Sequence, residues 1–579
     1  MSVKFRVWSA CLLILSTTLL PLGCHRRERS ADRKSVRESK SWDSYLNEFL
    51  EAYFVAHPDF AVRAGRHEFD GKMPDLSAAG INNEIRRLRD EKERVANFRD
   101  SALNKTQRFE RDYVASVITA DLFWLESAEW PYRNPQFYAD VVDPDVYVSR
   151  EYAPLDQRLR AYTEYARSIP AVLEHVRANL RTPLPKTYVD IGHTTFGGLV
   201  SFYEKDVPAV FASVKDEQLK RDFNEANGAA IKAMRDLDAW FKSQESTATS
   251  NFALGAAKFS EMLRATEGVE IRLDELEGVG RRDLQRNQAA LEEACSKYAA
   301  GQSLSSCVAK AEANKSDEGP VAGARKQLTE LKSFIAEKKI VTIPGTEEAR
   351  VGEAPAYRRW NFAYINIPGP YEKGLPSTYY IAPPDPSWSE AEKDAYIPGR
   401  ANLLFTSVHE VWPGHFLQFL HANRSPSKFG QVFVGYAFAE GWAHYTEEMM
   451  WDAGLGDGDP ETHIGQLLNA MLRNVRFLSA IGMHTGTMTV EQSETMFREQ
   501  GFQDAATARQ QAARGTFDPP YLNYTMGKLM IRKLREDWTG SRGGRQAWQA
   551  FHDEFLRYGG PPVPLVRQSM LGENKGSLF

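Results

Sequence analysis

The stretch TSVHEVWPGHFLQFLH, residues 406–421, carries the side chains of metal-assisted hydrolysis: imidazoles to hold a cation and a carboxylate to take a proton. In the usual H-E-x-x-H pattern two histidines four apart share one helical face and one ion. Here His409 and His415 are six apart. On a straight helix six residues turn through about 600°, leaving the rings about 120° apart and unable to share an ion. Pro413 alters that expectation, because it has no N–H and its ring clashes with the carbonyl four residues back, that of His409. A widened or broken turn is predicted there, with Gly414 tolerating the dihedrals of a restart. Two residues absorbed in the break would return His415 to the face of His409; the alternative is that the two histidines are unrelated.

The next chemistry-bearing segment is YAFAEGWAHYTEEMM, Tyr436 to Met450. Glu440 follows His415 by 25 residues, and His444 and Glu447 fall at i+4 and i+7 on its helical face. A carboxylate among Ala439, Gly441 and Trp442 needs a partner, since an unpaired buried charge is costly. That partner is a metal, or else a structural ion pair or helix cap. Six of the twelve histidines lie between His409 and His484, which directs attention to this third of the chain.

The elements that must position these groups read mostly as helices. Trp42, Tyr45, Leu46, Phe49 and Tyr53 recur on one helical face, and Ile81, Ile85, Leu88, Val95 and Phe98 do so less strictly. Residues 255–338 are rich in Ala, Leu, Glu, Lys and Arg and hold no Rossmann or P-loop glycine pattern. Between about 339 and 385 the composition turns β-branched and aromatic: IVTI (340–343), FAYINI (362–367) and STYYIA (377–382), punctuated by prolines. A small sheet is therefore expected just before the HE motif, either as support or as an edge that accepts an extended peptide.

Composition bounds the partners. With 42% hydrophobic and 26% charged residues over 579 positions the chain can bury a large core, and its net charge of -5 argues against a nucleic-acid partner. Residues 1–24 read as an export signal, with Lys4 and Arg6 before an apolar run ending in LPLGC. The ending resembles the lipobox of bacterial lipoproteins, which implies a lipid on Cys24; Pro21 stands where that motif prefers leucine. An ordinary secretory signal is the alternative. Residues 25–40 are a polar tether with almost nothing to bury, and 41–579 form one domain, with the metal site at about 405–450. Cys295 and Cys307 flank SKYAAGQSLSS, the expected turn between two helices; in an oxidising compartment they pair, and otherwise they stay as buried thiols.

HEVWPGH (409–415) and EGWAHY (440–445), with HPDFAVRAG, STYYIAPP, RFLSAIGMH and YTMGKLMIRKLRED elsewhere, resemble the bacterial family catalogued as domain of unknown function 885. The resemblance covers about 41–579. That family is regarded as related to the gluzincin metallopeptidases, so the resemblance implies a mainly α, gluzincin-like fold with a small β-sheet beside the active-site helix. It also implies one Zn2+ per chain, held by His409, His415 and Glu440 with water in the fourth position. Glu410 would be the general base, and His444 would orient a ligand histidine. Tyr524, in YLNYTMGK, and then His484 are the expected donors to the developing oxyanion. Two departures from the family pattern bear on these last roles: Ala480 where many members have aspartate, and Asp518, Pro519 and Pro520 where many have P-G-Q.

The expected function is thus an exported zinc hydrolase that cleaves short peptides, attached to a membrane only through a lipid on Cys24. Two other classes compete. One is a non-catalytic helical lipoprotein with a structural metal site; the other is a non-haem iron enzyme, for which Glu410 has no use.

Overall fold

The computed structural model describes residues 41–355, 359, 362–572 and 576–579; the export signal at 1–24 and the tether at 25–40, Cys24 included, lie outside the described residues. From Trp42 onward the chain is mainly α-helical with one small sheet. Among the described residues no helix is long and apolar enough to cross a membrane.

The apolar stripes seen in the sequence become two large cores. In α1 (Trp42–Ala56) the buried residues are Trp42, Tyr45, Leu46, Phe49, Leu50, Tyr53 and Phe54. This face joins α2 (Ala78–Ala96), α3 (Lys105–Leu122), α4 (Leu155–Asn179) and α5 (Glu217–Gln244) in the N-terminal core. Their ends are set by local chemistry: Ser77 accepts from the N–H of Gly80, and Asn104 and Gln107 form a reciprocal capping box.

The second core holds the candidate chemistry. It is built by α6 (Ala256–Glu267), α7 (Leu273–Tyr298), α8 (Pro320–Lys338), α9 (Arg400–Glu410), α10 (His415–Ala422), α11 (Tyr436–Asp452), α12 (Pro460–Thr485), α13 (Ala505–Phe517) and α14 (Asn523–Thr539). The α11 and α14 helices pack at unusually close range. A Cβ on Gly527 would lie 2.1 Å from the carbonyl oxygen of Ala437, and one on Gly441 would lie 2.5 Å from the Cα of Gly527. Only hydrogen fits at either position, and the contact sets the spacing between the helices that carry Glu440 and Tyr524.

The sheet lies against this core, with β1 (Ala349–Glu353), β2 (Ala363–Asn366) and β3 (Ser377–Ile381) in the order β1-β3-β2. β1 runs parallel to β3 with Ala349 opposite Ser377, and β2 runs antiparallel with Ala363 opposite Ile381. One detail corrects the sequence expectation. IVTI is not a strand: Ile340 and Val341 are buried in the core, and the N–H and hydroxyl of Thr342 are both taken by the Asp553 carboxylate. STYYI is the central strand, paired on both sides, and β1 and β2 form the edges of the sheet. Cys295 and Cys307 form a disulfide with Cα atoms 5.8 Å apart, packed with Leu291, Val308 and Leu467.

Candidate metal centre

The α9 helix stops at Glu410, the chain turns through 411–414, and α10 starts at His415. Pro413 accounts for the stop, since it cannot donate to the helical ladder. The N–H groups of Val411 and Trp412 both return to the Ser407 carbonyl, and that of Gly414 reaches Val408 at 2.9 Å. Gly414 is required by space: a Cβ there would lie 1.8 Å from the carbonyl oxygen of His409. From α11, Trp442 Nε1 donates to the Pro413 carbonyl at 2.9 Å and ties the break to the helix that carries Glu440.

This break brings the two histidines together. Their rings sit 4.8 Å apart at 86°, and each Nε2 lies 3.3 Å from the same oxygen, Glu440 Oε2. Donor atoms at about 2.0–2.1 Å around a tetrahedral ion are separated by about 3.3 Å, so the spacing suits a zinc-sized cation. Glu440 Oε2 is buried and makes no hydrogen bond among the described residues, as a ligand oxygen would be. Two imidazoles and one carboxylate also match the donor chemistry of such an ion, and this is the single candidate cluster among the described residues.

Glu447, one turn past His444, governs the electrostatics. Fully buried, its Oε1 accepts from His409 Nδ1 at 2.7 Å and faces Arg473 at 3.1 Å, while Oε2 accepts from His444 Nδ1 at 3.0 Å. Burial alone would raise its pKa, but Arg473 and the two histidines hold it well below the usual carboxylate range. With Nδ1 of His409 donating to this carboxylate, Nε2 is the nitrogen that faces Glu440. Burial and the Arg473 charge press the His409 pKa down; Glu440 and Glu447 outweigh them and raise it to about 9. A cation entering the site would therefore displace a proton. Glu440, for which burial again favours the neutral form, is held well below its ordinary range by His415 and His409.

The remaining predicted residues divide. Glu410 ends α9 beside His409, partly exposed, and makes no hydrogen bond or ion pair among the described residues. The Tyr524 ring stacks on that of His409 at 6.2 Å and 18° and meets Tyr436 edge-on at 5.8 Å, which places it at the cluster. Burial, then the Glu440 charge, raises its hydroxyl pKa against the pull of Arg514, Arg476 and Arg473. His444 is next to the site but orients no ligand histidine; that contact belongs to Glu447, and burial depresses the His444 pKa to about 4. His484 is not part of the cluster's machinery. Its Nε2 donates to the Gly515 carbonyl at 2.8 Å, its Nδ1 accepts from the N–H of Leu254 at 3.3 Å, and its ring packs on Phe252 and Phe259. No N–H remains for an oxyanion.

Sequence reasoning placed Glu447 on the correct face without giving it a task, and it missed three arginines. Arg473, Arg476 and Arg514 stand 5.7, 4.8 and 6.0 Å from the Tyr524 ring centre. The available signal was MLRNVRFLSAIGMH, two arginines inside an apolar helix, where a charge needs a reason. Asp518, one of the departures noted above, has a visible role: its carboxylate accepts from Arg514 Nε at 2.8 Å and from the Tyr436 hydroxyl at 3.2 Å.

Two solved structures share this fold. One is a protein of unknown function from Shewanella oneidensis, described as a lipoprotein candidate; it is 24% identical, with a TM-score of 0.76 over 92% of this chain and 100% of its own. The other, a lipoprotein candidate from Colwellia psychrerythraea, is 16% identical, with a TM-score of 0.78 over 91% of this chain and 98% of its own. No curated protein matches the chain. Residues 58–570, which include the bent histidine motif, the Glu440 helix and Tyr524, match one family along nearly their whole length, and the chain belongs to it: bacterial protein of unknown function (DUF885).

Proposed function

We propose that this protein is an exported zinc-dependent peptidase acting on short peptides. The observation that carries the reading is the convergence of His409 Nε2 and His415 Nε2 on one oxygen of Glu440, each at 3.3 Å, beside an unencumbered Glu410. His409, His415 and Glu440 would hold the ion. Bound zinc supplies a water acidic enough to ionise near neutrality and a Lewis acid for the substrate carbonyl.

The protein's own residues do the rest. Glu447 locks the His409 tautomer, so the ligand lone pair is aimed before the metal arrives. With no hydrogen-bond or ion-pair partner among the described residues, the Glu410 carboxylate is free to take a proton from the attacking water and pass it to the leaving amine. Tyr524, its hydroxyl kept protonated by burial and by Glu440, donates to the oxygen that gains charge. Likeness to two lipoprotein candidates, together with LPLGC at residues 20–24, supports export with Cys24 as the lipid anchor.

The test is metal content by plasma mass spectrometry on wild type and Glu440→Ala, with cleavage of a mixed peptide library on the same samples. About one zinc per chain, lost with cleavage in the variant, is the expected result. A wild type that is zinc-free and stays inactive after zinc is restored would overturn the reading.

A further inference from the structure

We propose that Arg476 is the carboxylate receptor of this site, and that the substrates are short peptides cut one to three residues from a free C-terminus. The proposal rests on the peptidase reading above.

Three arginines surround the Tyr524 ring, and they differ in their counter-ions. Arg473 faces the Glu447 carboxylate at 3.1 Å, and Arg514 faces Asp518 at 2.8 Å. Arg476 has neither. Its Nε donates to the amide oxygen of Gln511 at 2.9 Å, and among the described residues no carboxylate pairs with it. Yet Arg476 is only 8% exposed. Burial, followed by the Arg514 charge, depresses its pKa, the direction expected of a cation held without a counter-ion. A buried charge without a counter-ion is costly, and a ligand carboxylate would supply the missing partner. Two guanidinium nitrogens left over after the Gln511 bond form the planar fork that matches a carboxylate.

Position says whose carboxylate this is. The Arg476 guanidinium lies 4.8 Å from the Tyr524 ring centre, and that ring lies 6.2 Å from the His409 ring. The guanidinium is thus at most about 11 Å from His409. An extended peptide advances about 3.3–3.6 Å per residue, so a bond cleaved at the metal and a carboxylate at Arg476 are separated by at most about three residues. Tyr524 beside it is 7% exposed. An enclosed guanidinium suits a chain that ends there, since one that continues needs an open path. An acidic side chain offers the same fork, and the test separates the two sources.

The experiment uses the zinc-loaded chain and three peptides of one sequence: a free C-terminus, a C-terminal amide, and an amide with glutamate as the last residue. Products are followed by mass spectrometry. The free acid is expected to exceed the plain amide in kcat/KM by at least about 30-fold, the loss typical of leaving one partner of a buried charge pair unmatched. Arg476→Gln is expected to remove that preference, mainly through KM, and Arg476→Lys to restore part of it. Should Arg476→Gln fail to fold by circular dichroism, the lysine variant carries the comparison. Equal cleavage of free acid and amide by wild type overturns the proposal and leaves the peptidase reading intact. Cleavage of the glutamyl amide at the free-acid rate overturns the C-terminal assignment, and an equal loss on all peptides in Arg476→Gln overturns recognition in favour of a role in the reaction. If wild type cuts nothing, the peptidase reading fails separately, and calorimetric binding of free acid against amide then decides: tighter free-acid binding that depends on Arg476 supports the receptor, and equal binding overturns it.

Discussion

Glu447 Oε1 sits 2.7 Å from His409 Nδ1, deep in the core, while the other nitrogen of that ring faces Glu440. One carboxylate thereby orients the ring of a proposed ligand it never shares. Glu447→Gln is expected to weaken zinc affinity by about 10–100-fold, because the amide cannot match the charge that strengthens the ligand. Competition with a chromophoric chelator measures this. Unchanged affinity would make Glu447 only a structural partner of Arg473 and His444.

The roles of Glu410 and Tyr524 separate from metal binding. Glu410→Gln is expected to keep about one zinc per chain and to lose about 10²–10⁴-fold in kcat, the usual contribution of a positioned base. Tyr524→Phe is expected to lose about 10²–10³-fold, also with metal retained. Steady-state kinetics beside metal analysis on the same preparations checks both.

Stability is expected to fall on acidification below neutrality. His484 and His552 are buried and neutral, with pKa values that burial depresses to about 4 and about 3 from an ordinary 6.5. Above pH 6.5 neither state takes the proton, so pH has no effect through these groups. Below it the unfolded chain binds protons that the folded one refuses, and each histidine costs about 1.4 kcal/mol per pH unit until its folded pKa is reached. Urea midpoints from pH 7.5 to 4.5 report the slope. His552→Gln, which removes one titrating group, is expected to flatten it.

The Cys295–Cys307 bridge closes a loop spanning 12 residues. In the chain-entropy model it contributes about 3 kcal/mol, so Cys307→Ser is expected to lower the melting temperature and to make it insensitive to reductant. A melting curve with and without dithiothreitol shows whether wild type responds and the variant does not.

Gly527 tests the spacing of the two site helices. An added Cβ meets the Ala437 carbonyl at 2.1 Å, so Gly527→Ala is expected to cost about 1–3 kcal/mol and to slow hydrolysis by moving Tyr524 relative to Glu440. Thermal melts and peptide cleavage on the purified variant check the pair of effects. Unaltered cleavage would show that the α11–α14 distance does not position the hydroxyl.

What the sequence by itself determined is local and periodic. Helical stripes such as Trp42, Tyr45, Phe49 and Tyr53 predict the faces that are buried, because burial and the 3.6-residue period are properties of neighbours along the chain. The helix break at Pro413 is legible for the same reason, since a missing N–H acts within one turn. Strand identity was less so: IVTI has strand composition, but its groups are claimed by Asp553, more than 200 positions away. Tertiary structure alone decided which polar groups had partners. His484 reads like a catalytic donor until Gly515 and Leu254 take both nitrogens, and that Arg476 pairs with no carboxylate among the described residues is visible only in the folded chain. Periodicity assigns a residue to a face; the hydrogen bonds and charges it meets there come from other segments, and only folding brings those segments into contact.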